Sequence, residues 1–220
     1  MLQASTLKFL KELSKNNNRA WFEKNKNNYT AAKEDLENTV TKIIHGFDTI
    51  DKDIISLEAK NCLFRIYRDV RFSKDKSPYK TNMGAWMNRG GKKINSAGYY
   101  FHCEPGKSFI AGGYYMPSPP ELNKIRQEID YNFDEWKKLI SNKNFKKYFT
   151  AGVDGIDVLS RPPKGYDENN PAIEFLKMKN FIVRRSLTDK DMQSKTLVKE
   201  VLKTYEAMSP FISFLNRAVE

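Results

Sequence analysis

The segment from Arg65 to Lys80, RIYRDVRFSKDKSPYK, concentrates the side chains of this chain that could do chemistry. It holds six basic and two acidic residues, a net +4 of the formal +11 that the whole chain carries. Arginine presents a planar fork of donors and keeps its charge in proteins, so three arginines within seven residues are typical of a site for carboxylate or phosphate oxygens. We therefore predict an anion-binding site in this segment. Its predicted anion-binding residues are Arg65, Arg68, Arg71, Lys76, Tyr79 and Lys80.

The conformation of this segment has two interpretations. In an extended strand over residues 64–72, Arg65 and Asp69 share a polar face and Arg68 lies among apolar neighbours, where it needs a carboxylate or a bound anion. In a helical turn, Arg65, Arg68 and Asp69 share one side. Both interpretations bring Arg65 and Asp69 together, which makes Asp69 a candidate catalytic base or a residue that orients an arginine. The serine–proline pair that follows favours a loop over residues 74–80.

Two other parts of the chain supply candidates. Arg161 and Lys164 lie on LSRPPKGY, where two prolines stiffen the backbone, and we predict that both contribute to anion binding. His102 is a second candidate catalytic residue, because alternation along a strand puts it on one face with Tyr100 and Glu104, a geometry that suits a tuned base. The alternative is a histidine that is merely hydrogen-bonded.

The composition excludes several classes of protein. Cys62 and Cys103 are too few and too far apart for a metal cluster, and neither His45 nor His102 lies near a cysteine pair, so we predict no metal site and no cofactor. No apolar run approaches the roughly 20 residues that span a bilayer, and the N-terminal residues lack a signal-peptide pattern. We therefore predict a cytoplasmic protein with reduced thiols and no membrane partner.

Patterning along the chain predicts an α+β fold and one domain over residues 1–220. An antiparallel sheet over about residues 60–116, a meander that includes a hairpin, packs against N-terminal and C-terminal helices. Helices are predicted over 5–47 with a break at Asn16–Asn18 and a stop at Gly46, then over 118–129, 131–148, 172–178 and 187–219, the last interrupted at Ser209–Pro210. Strands are predicted over 62–72, 83–87, 98–104 and 108–115, the last three being separated by turns at 89–93 and 104–107.

Three functions fit these observations. The first is an enzyme or binding protein for a small molecule that carries phosphate or carboxylate, held by the basic segment. The second is a nucleic-acid-binding module, which the charge of +11 favours together with aromatic residues beside basic ones. The third is a structural or partner-binding protein whose arginines form an ion-pair network with Asp69 and Asp75. The aromatic residues of the second interpretation are Tyr99, Tyr100, Tyr114 and Tyr115.

The basic segment also carries a resemblance to a known family. Its Arg65, Arg68, Asp69, Arg71, Phe72, Asp75, Lys76, Tyr79 and Lys80 resemble the signature of the bacterial "domain of unknown function 2461" family. The resemblance extends to FLKELSKNNNRAWFEKNKNNY near the N-terminus, to GYYFHCEPGKSFIAGGYYMPSPPELNKIRQEID and to RPPKGYDENNPAIEFLK. It implies one full-length domain. It implies no activity, cofactor or substrate, because the family has none assigned.

Overall fold

The computed structural model of the protein describes residues 1–91 and 94–220. The predicted α+β arrangement is confirmed: four strands form one antiparallel sheet in the order β1-β2-β3-β4, a meander in space. The strands are β1 (Met83–Asn88), β2 (Gly98–Cys103), β3 (Ser108–Tyr114) and β4 (Phe181–Leu187). The helices before the sheet are α1 (Ala4–Lys15), α2 (Arg19–Lys24), α3 (Lys26–His45), α4 (Lys52–Ile55) and α5 (Ala59–Cys62). Those that follow β3 are α6 (Pro119–Tyr131), α7 (Phe133–Ser141), α8 (Lys143–Tyr148), α9 (Ile173–Leu176), α10 (Asp189–Met192) and α11 (Leu197–Arg217).

The N-terminal helices begin and end where local chemistry dictates. The side chain of Asn18 accepts a hydrogen bond of 2.9 Å from the amide of Trp21, which caps α2 and explains the break after α1. Gly46 ends α3, as predicted. Ser118 and Glu121 form the capping box that begins α6.

The hairpin between β2 and β3 turns at Glu104–Lys107, as predicted. Gly106 has φ +73° at this turn, a backbone conformation that a residue without a Cβ adopts at little cost. The amide of Lys107 donates to the carbonyl of Glu104 over 3.0 Å, which closes the turn. Of the turn predicted over 89–93, Lys92 and Lys93 lie outside the described residues.

Two predictions about the C-terminal part are wrong. Residues 181–186 were given no strand, yet they form most of β4, and Leu187, the predicted start of the last helix, is the final residue of that strand. Two adjacent arginines, Arg184 and Arg185, obscure the alternation of this strand, because one is exposed and the other pairs with α11. The last helix is also continuous through Pro210, since the buried side chains that follow it hold this turn against the core.

One face of the sheet carries the core. Helix α11 packs on β3 there, and a Cβ at Gly112 would lie 2.3 Å from the sulfur of Met208, so this close approach requires a glycine. The centre of the other face borders a cleft. The side chains that alternate onto this second face, which we call the open face, come from Trp86, Tyr100, His102, Phe109, Ala111, Ile182 and Arg184.

Candidate functional site

The basic segment forms an irregular hairpin, so the strand predicted over 62–72 is wrong. Helix α5 ends at Cys62, and residues 63–82, all of which the structure describes, contain no regular strand. Two arms pair only around Tyr67 and Tyr79, where backbone hydrogen bonds of 2.9 and 2.7 Å flank one isolated bridge. We call residues 69–77, which connect the arms, the tip loop.

Aspartate side chains replace strand pairing in the tip loop. Asp69 Oδ1 accepts the amide of Arg71 at 3.2 Å, and Asp75 Oδ1 accepts the amide of Ser77 at 2.9 Å. An aspartate that binds an amide two residues ahead favours a turn over an extended ladder. This local competition explains why the alternating pattern does not produce a strand.

Arg68 connects the two ends of the tip loop. Its guanidinium donates to the carboxylate of Asp75, to the carbonyl of Ser77 over 3.1 Å and to the hydroxyl of Ser73 over 3.3 Å. Hydrogen bonds from Ser77, followed by the one from Arg68, hold the pKa of the Asp75 carboxyl at about 2. The carboxylate that the sequence required for Arg68 is therefore Asp75.

Arg71 and Lys76 also bond to partners within the tip loop. Arg71 donates both prongs of its guanidinium to Asp69, over 3.0 and 2.7 Å, and this pair lowers the pKa of the Asp69 carboxyl. Lys76 donates to the carbonyl of Val70 over 3.0 Å. Phe72, between these groups, has 95% of its surface exposed. Asp69 therefore orients an arginine in this structure.

Tyr79 anchors the second arm in the core. Its ring is buried and stacks on Phe22 of α2 with 3.9 Å between the ring centroids. Asn17 receives the amide of Tyr79 over 3.1 Å and donates to its carbonyl over 2.9 Å. These contacts fix the backbone immediately before Lys80 with respect to the N-terminal helices.

Lys80 projects from that anchored arm toward the open face of the sheet. Its ammonium lies 5.3 Å from the ring centroid of Phe64, and the side chain is half-buried. Burial, followed by the charge of nearby Arg65, lowers the pKa of Lys80. Neither Lys80 nor Arg65 forms a salt bridge among the residues that the structure describes.

A cleft of about 780 Å³ lies over the open face. The arm that carries Lys80 borders it on one side, and a loop that carries Asp154 borders it on the other. Its volume falls within the range of roughly 300–1,000 Å³ that is common for small-molecule sites. The cleft is lined by Phe64, Lys80, Trp86, Asn95, Tyr100, Phe109, Ala111, Gly112, Tyr115, Asp154, Ile156, Ile182 and Arg184.

The floor of the cleft is aromatic. Trp86 and Tyr100 are direct cross-strand neighbours, and the ring of Tyr100 lies 5.7 Å from that of Phe109 and 6.1 Å from that of Phe64. The guanidinium of Arg184 lies 5.6 Å from the ring centroid of Phe109. Flat apolar groups pack well on such rings, and cations above the rings supply partners for negative charge.

A hydrogen-bonded chain runs along β2 at the edge of this floor. Tyr100 Oη lies 3.0 Å from Nδ1 of His102, whose Nε2 lies 3.1 Å from the Glu104 carboxylate. His102 is only 8% exposed and stacks on Phe109 with 4.3 Å between ring centroids. Burial lowers the pKa of His102, although its bond to Glu104 opposes this, and burial raises the pKa of Tyr100 to about 12.

The far side of the cleft holds two strained residues. Met116 and Ile156 both have φ +52°, which is costly for a β-branched side chain such as isoleucine. Asp154 Oδ1 accepts the amide of Ile156 at 2.8 Å, and Asn180 Oδ1 accepts the amide of Met116 at 2.6 Å. Strain of this kind persists where neighbouring contacts over-determine the backbone, as they do at this rim.

Arg161 and Lys164 are exposed and lie outside the cleft lining. Their loop follows the rim loop of Asp154, and the amide of Leu159 in it pairs with the carbonyl of Lys177 over 2.8 Å. The structure thus divides the predicted anion-binding residues. Lys80 borders the cleft and Arg65 lies near Lys80, whereas Arg68 bonds to the tip loop and the others lie in that loop, in the core or on the loop after Asp154.

The cleft residues that sequence reasoning missed include Trp86, Phe109 and Arg184. Each alternates onto the same face as Tyr100 once the strand register is known. Which residues of neighbouring strands lie side by side depends on strand pairing, which a local sequence pattern does not reveal. The sequence alone therefore allowed residues to be assigned to a shared face only across the predicted hairpin between β2 and β3.

The described residues contain no group of three or more histidine, cysteine, aspartate or glutamate side chains that could hold a metal ion. Cys62 and Cys103 are both buried, and they form no disulfide within the described residues. Among the helices of residues 1–91 and 94–220, none is long and apolar enough to cross a membrane.

Fold and cleft together define an α+β protein with an aromatic, cation-flanked cleft on the open face of an antiparallel sheet. A family model described as "Conserved hypothetical protein (DUF2461)" matches residues 5–214, so the chain belongs to this family, as the sequence resemblance predicted. No curated protein and no solved structure matches the chain.

Proposed function

We propose that this protein binds a small molecule that carries a phosphate or carboxylate group on a flat, apolar body, and that it does so in the cleft on the open face. Trp86, Tyr100 and Phe109 supply the floor on which the flat body packs. Lys80 and Arg184 supply the charge that receives the anionic group.

The observation that carries this proposal is the state of Lys80. Its side chain is half-buried, lies near a second cation, Arg65, and has no carboxylate partner within the described chain. A half-buried cation without a counter-charge is unfavourable, and a bound anion would remove this cost. Among the described residues that line the cleft, the only carboxylate is that of Asp154, which accepts the amide of Ile156 on the opposite rim.

The tip loop has a different role in this proposal. The guanidinium groups of Arg68 and Arg71 form ion pairs with the carboxylates of Asp75 and Asp69, respectively, which fits the interpretation of the arginines as an ion-pair network. We assign them the structural task of holding the arm that ends in Lys80. The proposed anion site is thus smaller than the sequence predicted, and its Lys80 lies three residues after Ser77, the last residue of that network.

The nucleic-acid alternative has less support. Of the four tyrosines that suggested base stacking, Tyr99 and Tyr114 are buried on the core face, whereas Tyr100 and Tyr115 line the cleft. A single-stranded nucleic acid would need a longer row of exposed rings than a cleft bounded on two sides offers. A cytoplasmic location belongs to the proposal as well, because the buried cysteines Cys62 and Cys103 form no disulfide in the part of the chain that the structure describes.

Quenching of Trp86 fluorescence tests the proposal. The probes are 4-nitrophenyl phosphate and 4-nitrobenzoate, whose nitroaromatic groups quench indole at short range, and inner-filter absorption is corrected with free N-acetyltryptophanamide. The Trp86→Phe variant identifies the signal, because Trp21 and Trp136 lie outside the cleft lining. We expect saturable quenching by at least one probe in the wild-type protein.

The Lys80→Met variant then tests the anion site. Loss of a charge-assisted hydrogen bond should weaken binding about tenfold or more. The matched control is Lys199→Met, an exposed lysine on α11, which should change affinity less than about twofold, because surface charges act weakly at a distance. Absence of saturable quenching at millimolar probe, or equal affinity in Lys80→Met, contradicts the proposal. Saturation by a thymidine dodecamer, without saturation by either probe, would favour the nucleic-acid alternative.

A further inference from the structure

We infer that the chain Tyr100–His102–Glu104 is a proton relay that makes the Tyr100 hydroxyl a general base in the cleft, so that the protein removes an acidic C–H or O–H proton from the molecule it binds. This inference rests on the proposed function, since it places the base at the floor of the proposed binding cleft. It adds a reaction to that binding.

The hydrogen bonds fix the direction of the relay. A carboxylate can only accept a hydrogen bond, so the proton between Glu104 and His102 must be carried by Nε2 of His102. The neutral imidazole then has an unprotonated Nδ1, which accepts the Tyr100 hydroxyl at 3.0 Å. With its own proton turned toward His102, the Tyr100 oxygen keeps its lone pairs for a donor in the cleft.

The proton transfers balance along this chain. The X–H bond of the bound molecule breaks, its proton goes to Tyr100 Oη, and its electron pair stays on X. At the same time the original Tyr100 proton moves to Nδ1 of His102, which becomes an imidazolium. That cation is stabilised by Glu104 through the Nε2 hydrogen bond, and it later returns its proton to the product or to solvent.

The surroundings of the chain are built for such a transfer. His102 is 8% exposed and packs flat on Phe109, which holds its ring in one orientation. Burial keeps the imidazole neutral and able to accept a proton. Gly84 leaves room for the Tyr100 hydroxyl, because a Cβ at this position would lie 2.5 Å from Tyr100 Oη.

The first test uses nitrogen NMR on the full-length protein. The chain has two histidines, so the His102→Gln variant assigns the imidazole signals without ambiguity. We expect Nδ1 of His102 to be unprotonated and Nε2 to carry the proton near neutral pH. A proton on Nδ1 overturns the relay, because Tyr100 could not then pass its proton on. In Glu104→Gln, whose amide can donate as well as accept, we expect the preference for this tautomer to weaken.

The second test measures a reaction with a neutral probe. Base attack on 5-nitrobenzisoxazole removes the proton on C3; the electron pair forms the nitrile and the N–O bond breaks to give coloured 2-cyano-4-nitrophenolate. We expect saturable turnover that 4-nitrobenzoate inhibits. The rate should fall about tenfold or more in Tyr100→Phe and in Glu104→Gln, in line with the usual contribution of general base catalysis. Lys199→Met should retain the rate, because this exposed lysine of α11 lies outside the cleft lining.

The outcomes separate the two proposals. If 4-nitrobenzoate binds with the expected dependence on Lys80 but turnover is absent or unaffected by Tyr100→Phe, the relay is wrong and the binding proposal stands. If neither nitroaromatic anion binds, the binding proposal is wrong, whereas the tautomer of His102 and the turnover of the neutral probe still decide the relay.

Discussion

Gly84 on β1 and Tyr100 on β2 are complementary in shape: the hydroxyl of Tyr100 occupies the space that a side chain at position 84 would fill, 2.5 Å from the missing Cβ. In the strand register Gly84 pairs with His102, so this glycine leaves room for the side chain of Tyr100, which lies two residues before His102 on β2. The orientation of Tyr100 toward His102 thus depends on a residue of another strand.

The Gly84→Ala variant should displace the ring of Tyr100. Because overpacking in a packed site forces side chains from their rotamers, we expect the free energy of unfolding to fall by about 1–3 kcal/mol, measured by urea denaturation. Tyr100→Phe removes the nearest atom and should relieve part of this cost in the double variant. Strictly additive effects of the two substitutions would contradict the proposed contact.

His102 should make stability depend on pH. Its folded-state pKa is lowered by burial, so the unfolded chain, with a histidine pKa near 6.5, binds the proton more readily. This contribution to stability is present above about pH 6.5 and is lost as the pH falls toward the folded-state pKa. The charge of Glu104 limits the effect. In the wild-type protein, the urea concentration at the midpoint of unfolding should decrease as the pH is lowered from about 7.5 to about 5.

The His102→Gln variant should lack this component of the pH dependence. His45→Gln is the matched control, because His45 is exposed at the end of α3, and it should keep the wild-type slope. Identical slopes in the wild-type protein and His102→Gln would show that His102 titrates alike in the folded and unfolded states.

Arg68 and Arg71 should contribute differently to stability. Arg68 makes three sets of hydrogen bonds across the tip loop and its side chain is 25% exposed, so Arg68→Ala should lower the free energy of unfolding by about 1–2 kcal/mol. This is less than the 3–5 kcal/mol typical of a broken buried pair, because Asp75 can turn toward water. Arg71→Ala, which removes an exposed pair, should have a smaller effect in the same denaturation measurement. Equal losses would contradict the assigned contacts.

Tyr205 offers a stabilising substitution. Its hydroxyl is buried and has no hydrogen-bond partner among the described residues, so Tyr205→Phe should raise the free energy of unfolding by about 1 kcal/mol. Tyr99, whose ring lies 5.1 Å from that of Tyr205, donates to Asp51 over 3.1 Å. Tyr99→Phe should therefore lower the free energy of unfolding. Thermal and urea denaturation measure the effects of both substitutions. A loss of stability in Tyr205→Phe would indicate a hydrogen-bond partner, such as a buried water.

Local patterns predicted the elements whose causes are local. The helix break at Asn16–Asn18, the start of a helix at Ser118 and the turn that contains Gly106 each depend on residues within a short stretch of chain, and each was predicted correctly. The strand over 62–72 was wrong because Asp69 and Asp75 compete for backbone amides, an effect that hydrophobic alternation does not register. β4 was missed because Arg185 points to the core side, where it donates to Thr204 of α11.

The sequence by itself determined the fold class, the family and the concentration of charge between Arg65 and Lys80, since these depend on composition, periodicity and local turn chemistry. It also determined that Tyr100, His102 and Glu104 share a face, because side chains alternate along one strand. Only the tertiary structure decided which charges neutralise one another and which remain available to a ligand. That outcome depends on which arginines Asp69 and Asp75 pair with and on which strands pair in the sheet. Lys80 therefore lines the same cleft as Trp86 and Arg184 although these residues are far apart in the chain.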